Sequence, residues 1–232
     1  MEERFEREGL IIGAEGIEKL QRSKVALFGV GGVGSFTAEA LARAGIGTIA
    51  LIDGDIVAGS NLNRQLVALE STIGKTKVSV MSARIKDINH NIKVTEYYEF
   101  YSSNNCDFIN LSDFDYIIDA IDSVPSKIHL IVTAQHYNVP ILSCMGAGNR
   151  LDPTAFTVTD LFKTEGCPLA RKMRYELKKY GIKKLPVVFS KEQTVRHPSV
   201  PDSIKTVGSI SFVPSCAGLI AAGYVIKKLL GM

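Results

Sequence analysis

The sequence predicts an α/β protein built on a doubly wound, mostly parallel sheet. Three observations carry that expectation. Short apolar runs recur along the chain, separated by stretches of ten to fifteen residues with helical spacing. The first run, 24–28 (KVALF), ends in a cluster of glycines, as a buried strand does when it turns directly into a helix. The second, 48–52, is closed by the acid Asp53.

Taken in order, 24–28 is the first strand, and a helix follows over 33–44 with its small residues turned back toward it. Residues 48–52 form the second strand. Helical spacing returns over 75–89, where Val78, Met81, Ile85 and Ile88 share one side. Further strands are predicted at 94–98, 116–119 and 140–144. After about Gly148 the rhythm changes. There 156–161, 187–190 and 209–213 read as strands, with one helix between the first two and one after the last. The polar, proline-containing stretch 191–205 reads as a mobile loop. The chain thus divides into a nucleotide-binding domain, 1–148, and a substrate-binding carboxyl-terminal extension of strands and helices, 149–232, packed on the same domain.

With 232 residues the chain is long enough for that plan, and 46% apolar and 22% charged residues are ordinary for a globular protein. A net charge of +3 permits an anionic partner without demanding one. The start, MEERFEREGL, lacks the apolar core of a signal peptide. The longest apolar stretch, 217–226, is too short to span a bilayer and reads as a buried terminal helix, so no membrane partner is expected. Cys106, Cys144, Cys167 and Cys216 form no CxxC pair, which argues against zinc and for a reduced, cytoplasmic setting.

Gly29, Gly31, Gly32 and Gly34 lie between the first strand and its helix. Glycines there let the backbone approach a phosphate, and the helix start offers free N–H groups. Asp53, nineteen residues after Gly34, is placed to bond ribose hydroxyls. Strand, loop, helix and acid together make the fold Rossmann-like. They suit a nicotinamide oxidoreductase or an ATP-using adenylating enzyme equally.

Four later positions favour ATP. Asp55 and the segment SNLNRQ (60–65) follow Asp53, Lys77 comes early in the third helix, and Asp122 stands just past a strand. One arginine, Arg64, and one lysine, Lys77, suit the β- and γ-phosphates of a triphosphate. A lone Asp122 at a strand end suits Mg2+, which keeps most of its waters. Each has an ordinary reading too: Lys77 as a solvated helix lysine, Arg64 as a loop charge, Asp122 as a cap for the helix opening at Ser123-Val124-Pro125. In this order behind a glycine loop, the joint reading is the stronger.

GVGGVGS, LIDGDIV, SNLNRQ, TIGKTKV and IIDAIDS resemble the adenylating domain shared by ThiF, MoeB and the ubiquitin-activating enzymes, over residues 4–145. The resemblance makes 1–148 an ATP-binding adenylating domain. It implies that Asp53 contacts ribose, that Asn61, Arg64 and Lys77 contact the phosphates, and that Asp122 holds Mg2+. The second half is similar to the TcdA-like tRNA threonylcarbamoyladenosine dehydratases, through RFERE, MGAGNRLDPT (145–154) and PLARKMRYELKKYGI (168–182). Their substrate is a modified adenosine in tRNA beside the anticodon, whose threonine carboxylate is activated as an acyl-adenylate and then cyclised. The same resemblance implies a homodimer in which Arg7 reaches the γ-phosphate of the neighbouring subunit. It also allows a monovalent cation and a sulfur-transfer protein partner.

Two positions depart from that pattern: Asn149 stands where glycine is expected, and Cys167 where an acid is common. Cys167 precedes Pro168 and so takes a helix N-cap position, where a thiol is either a reactive nucleophile or, more often, a small inert residue. Arg171, Lys172, Arg174, Lys178, Lys179, Lys183 and Lys184 form a basic stretch that suits tRNA phosphates or an ordinary solvated face. The competing function is an adenylyltransferase for the carboxyl terminus of a sulfur-carrier or ubiquitin-like protein; a non-catalytic binding module fits less well.

Overall fold

The computed structural model describes residues 2–201 and 203–232. Strands β1 (Lys24–Phe28), β2 (Thr48–Ile52), β3 (Lys93–Tyr97), β4 (Tyr116–Asp119), β5 (Ile141–Cys144), β6 (Phe156–Asp160) and β7 (Pro186–Ser190) form one sheet, ordered β3-β2-β1-β4-β5-β7-β6. Every neighbouring pair is parallel except β6 with β7. The central strands are buried on both faces, which is why KVALF, TIALI and YIID read as continuous apolar runs rather than alternating ones.

Two cores result. On one face Leu27, Leu51 and Ile118 pack with α1 (Glu6–Arg22), α2 (Gly34–Arg43), α3 (Lys77–Ile88) and α6 (Phe212–Leu230). On the other, Phe28, Ile52 and Ile117 pack with α4 (Val124–His136) and α5 (Pro168–Lys178). Each fully buried side chain of this size contributes roughly 1.5–3 kcal/mol. The carboxyl-terminal extension continues the same sheet through β7, which pairs with β5, and α6 crosses back to pack on α2.

One expectation is corrected. Residues 209–213 are not a strand: 209 and 210 are irregular, Ser211 is a turn, and α6 begins at Phe212. The β-branched pattern misled, whereas Pro214 marks the first helical turn, where its missing N–H costs nothing. The charged start, given no element by the sequence reading, is ordered. It forms α1, bent at Gly13 (φ 72°), with Phe5, Ile17 and Leu20 buried. Gly45 (φ 75°) admits the Phe5 ring, since a Cβ there would lie 2.7 Å from it. The 191–205 stretch has neither strand nor helix among its described residues.

By length and composition the 19-residue α6 could cross a membrane, being longer than its apolar run suggested. One face, Val213, Ala217, Ala221, Ala222 and Val225, is buried against the core, as in a core helix.

Candidate active site

β1 and β4 are neighbours, but the helices that follow them cover opposite faces of the sheet. Ligands of such sheets bind in the crevice above the strand ends at that switch point. Here the crevice is a cleft of ≈ 530 Å3, lined by the glycine loop, the turns after β2 and β3, the SNLNRQ segment, Lys77 and the β4–α4 turn. Other hollows, among them one at the amino-terminal ends of β4, β5 and β7 beside Tyr116 and Tyr224 and one beside α5, gather no comparable set.

The glycine loop lies hard against β4. Gly29 has φ +91°, and a Cβ there would stand 2.6 Å from the Ala120 carbonyl oxygen. A Cβ on Gly34 would run into the Gly29 carbonyl oxygen. Gly31 and Gly32 sit between Gln65, Arg64 and Pro214, and the loop delivers the amino terminus of α2 to the cleft, where N–H groups and helix dipole favour an anion.

Asp53 ties two loops together. Its Oδ2 accepts from the Val30 N–H (2.7 Å) and its Oδ1 from the Asp55 N–H (2.8 Å). Burial raises its pKa above the ordinary value, outweighing Lys77 and those two N–H groups, which lower it. Asn61 ends the 3-10 turn Gly59–Asn61. Its Oδ1 accepts from the Ala58 N–H (3.1 Å), which leaves the amide nitrogen to the cleft. Arg64 donates Nη1 to Ser60 O and Asn63 Oδ1, both 2.9 Å, keeping the rest of its fork for a ligand.

Lys77 opens α3 behind the N-cap Thr76, whose Oγ1 accepts from the Ser79 N–H. It is 5% exposed, and its Nζ lies 2.7 Å from Asp55 Oδ2. A buried ammonium needs such a counter-ion. Asp55, on the cleft wall, is therefore the partner of Lys77 in this state. Asp122 follows β4, exposed at the cleft rim. All ten of these predicted positions converge on the cleft except Gly34, which supports the loop from behind. Arg7 does not join them; it is exposed on α1.

The sequence reading missed four residues. Gln65, Phe100 and Tyr101 line the cleft, and Phe100 lies across Gly54, where a Cβ would be 2.6 Å from the ring. Their signal was position alone: Gln65 closes SNLNRQ, and Phe100 and Tyr101 lie just beyond β3. Lys127 left no signal. It is fully buried, with Nζ 2.9 Å from Asp119 Oδ2 and donating to Ile121 O (3.0 Å) and Cys144 O (2.9 Å), and so braces the turn that carries Asp122.

Asn149 has φ 55°, which accounts for the expected glycine; asparagine tolerates this region, and its Oδ1 accepts from the Gly208 N–H (2.6 Å). Cys167 is the N-cap of α5 but is 4% exposed within the apolar core, a setting for an inert thiol. Of the basic stretch, Arg174 turns inward to Thr164, while Arg171, Lys172, Lys178, Lys179, Lys183 and Lys184 are exposed.

A family model described as the ThiF family matches residues 5–232. The tRNA threonylcarbamoyladenosine dehydratase of Bacillus subtilis is 45% identical over 239 residues, covering 97% of this chain and 94% of that protein. The crystal structure of Escherichia coli tRNA N6-threonylcarbamoyladenosine dehydratase, TcdA, in complex with AMP is similar at a TM-score of 0.91 and 37% identity, over 98% of this chain and 94% of the other. The same protein in complex with ATP gives 0.88 at 36% identity, over the same shares.

Proposed function

Because the chain belongs to the ThiF family, we propose that it is an ATP-dependent tRNA threonylcarbamoyladenosine dehydratase. One observation carries the reading. The cations and amides expected to meet a triphosphate, Asn61, Arg64 and Lys77, line one cleft with the glycine loop, in a chain similar along almost its whole length to proteins of that name.

ATP would lie with its ribose at Asp53 and its phosphates over the glycine loop. An oxygen of the threonine carboxylate attacks the α-phosphorus and pyrophosphate leaves. Arg64 and Lys77 stabilise the charge that develops on it, Lys77 exchanging Asp55 for phosphate. A ureido atom of the same side chain then attacks the activated carbonyl carbon, AMP departs, and a five-membered ring closes. The net loss is one water, and the tethered nucleophile needs no catalytic cysteine. Asp122, a free carboxylate at the rim, fits a hydrated Mg2+, which would neutralise phosphate charge when bound.

Two surfaces support the partners. The exposed cations of α5 and the turn after it suit the phosphates of tRNA. Leu10 (88% exposed) and Ile11 (84%), near Arg7 on α1, with Phe212 and Leu219 on the outer side of α6, give apolar surface that a second copy would cover. That copy would take Arg7 into its cleft. Four free cysteines suit the reducing cytoplasm.

The test is mass spectrometry of nucleosides from tRNA bearing threonylcarbamoyladenosine, after incubation with the protein and Mg-ATP. Loss of one water from that nucleoside is expected. An unchanged mass would sink the reading, and adenylation of a carrier protein's carboxyl terminus would replace it.

A further inference from the structure

Gln65 holds a polar atom that nothing in the protein satisfies. The residue is 7% exposed, and its backbone is fixed at both ends: its N–H donates to Asn61 O and its carbonyl accepts from Ala68 N–H, both 3.0 Å. Its side chain lines the cleft, with Nε2 3.9 Å from where a Cβ of Gly31 would stand. Oε1 is buried and accepts no hydrogen bond. Buried acceptors without donors cost free energy, and native proteins keep few of them. One kept in an active-site cleft calls for a donor that arrives with a ligand.

ATP is the wrong source for that donor at this position. The phosphates over the glycine loop offer only acceptors, the ribose hydroxyls belong with Asp53, whose oxygens already reach Val30 and Asp55, and the adenine amino group lies beyond the ribose, away from Gly31 and Gln65. The remaining donor is on the second substrate. Resting on the function proposed above, that substrate carries an N–H on the atom bonded to the carbon that bears the attacking carboxylate. A carboxamide presents acceptor and donor side by side, so one residue can meet this N–H with Oε1 while Nε2 faces the phosphate side.

We propose that Gln65 is a specificity-determining residue whose Oε1, turned to the cleft as the substrate enters, accepts the carbamoyl N–H of the threonine, setting the carboxylate against the α-phosphate. The cleft therefore selects a class of substrate: carboxylates of N-carbamoylated or N-acylated amino acids. An amino-acid carboxylate whose nitrogen lacks hydrogen leaves Oε1 unpaired and is discriminated against.

The experiment measures pyrophosphate release from Mg-ATP with two tRNA substrates, one bearing threonylcarbamoyladenosine and one with the threonine nitrogen methylated. The wild type, Gln65→Met and Gln65→Glu are compared. The wild type should lose about 10- to 100-fold in kcat/KM on methylation, the cost of losing one hydrogen bond and leaving its acceptor unpaired. Gln65→Met should lose a similar factor on the natural substrate and discriminate between the two by less than about twofold. Its melting temperature without ligands should be unchanged or higher, because an unpaired acceptor has been replaced by an apolar group. Gln65→Glu keeps the acceptor and should keep the discrimination, while its charge raises the KM for ATP. A structural role would instead lower the melting temperature and leave methyl discrimination intact in Gln65→Met, and that result overturns the proposal. A wild type that processes the natural substrate but ignores methylation overturns it too. A wild type inactive on both substrates overturns the proposed function and this inference with it.

Discussion

Lys77 and Lys178 carry the same charge in opposite settings. Lys77 is 5% exposed and already held 2.7 Å from Asp55, in a cleft where Asp53 is bonded by two N–H groups and Arg64 by its own loop. Lys178 stands in solvent on α5, where Lys179 is paired with Glu176 and Arg174 is turned inward to Thr164. On the function proposed above, the difference separates two ways of meeting phosphate. In the cleft the geometry is set before the ligand comes, and low exposure keeps the charge of Lys77 strong and weakly screened. Along α5 the charges are mobile and hydrated, suited to a polyanion gripped at many points and sensitive to salt.

The sharpest break of that comparison is inside the cleft. Lys77→Ala and Arg64→Ala should each fold normally and lose about 10²-fold or more in turnover, because each removes charge set against departing pyrophosphate. Lys77→Ala also leaves the half-exposed Asp55 without its cation, next to bound phosphate. Near-wild-type turnover in either variant would take that residue out of the mechanism.

Arg7 tests whether the cleft is complete within one chain. Arg7→Ala and Lys77→Ala homodimers should each be nearly inactive. Mixed under exchanging conditions, half the dimers are hybrids with one intact site in two, so activity should return to roughly a quarter of wild type. Exchange shown by mass spectrometry without any recovery would confine Arg7 to its own subunit or to no role.

On α5 the effects should be smaller and spread out. Replacing Lys178, Lys179 and Lys183 with Ala should weaken tRNA binding about tenfold at low salt and flatten its salt dependence, leaving ATP affinity alone. Lys179 should contribute least, being tied to Glu176 and lying 4.5 Å over the Tyr175 ring. An unchanged salt slope would reduce this face to ordinary solvated surface.

The two regions also differed in how readily they could be read. Buried parallel strands write themselves as apolar runs, and the glycine loop, Asp53 and Lys77 stand at fixed offsets from them, so most of the sheet and the cleft were legible. What escaped depended on tertiary contact. Gly13 breaks the periodicity of α1 into two pieces, and Gly16 packs against Ile12, so no helix was visible there. Ile210, Phe212 and Val213 look like a strand until Pro214 is seen as a helix start. Lys127 sits inside VPSKIHL as any helix lysine would, and only folding sets it beside Asp119 and Ser143, whose Oγ donates to Asp119 Oδ2 at 2.5 Å. The Gln65 acceptor is likewise a property of burial, which a motif does not spell.

The smallest effect concerns Asp53, and its sign separates folding from binding. Burial raises its pKa despite Lys77 and the two N–H groups, so the folded chain holds this proton more tightly than the unfolded one. Between the ordinary Asp value and the raised one, the folded state carries more protons. The contribution of Asp53 to stability therefore falls as pH rises through that window, and grows as pH drops. Nucleoside binding runs the other way, because ribose hydroxyls need the carboxylate as acceptor and the neutral acid is poorer. Affinity for adenosine, a probe whose lack of phosphate removes phosphate titration, should decline on acidification with a midpoint above the ordinary Asp value. Asp53→Asn should bind more weakly at neutral pH and lose that midpoint. A wild-type midpoint at or below the ordinary value would mean that the N–H groups and Lys77 outweigh burial at Asp53, and that its charge is as firmly set in the cleft as that of Lys77.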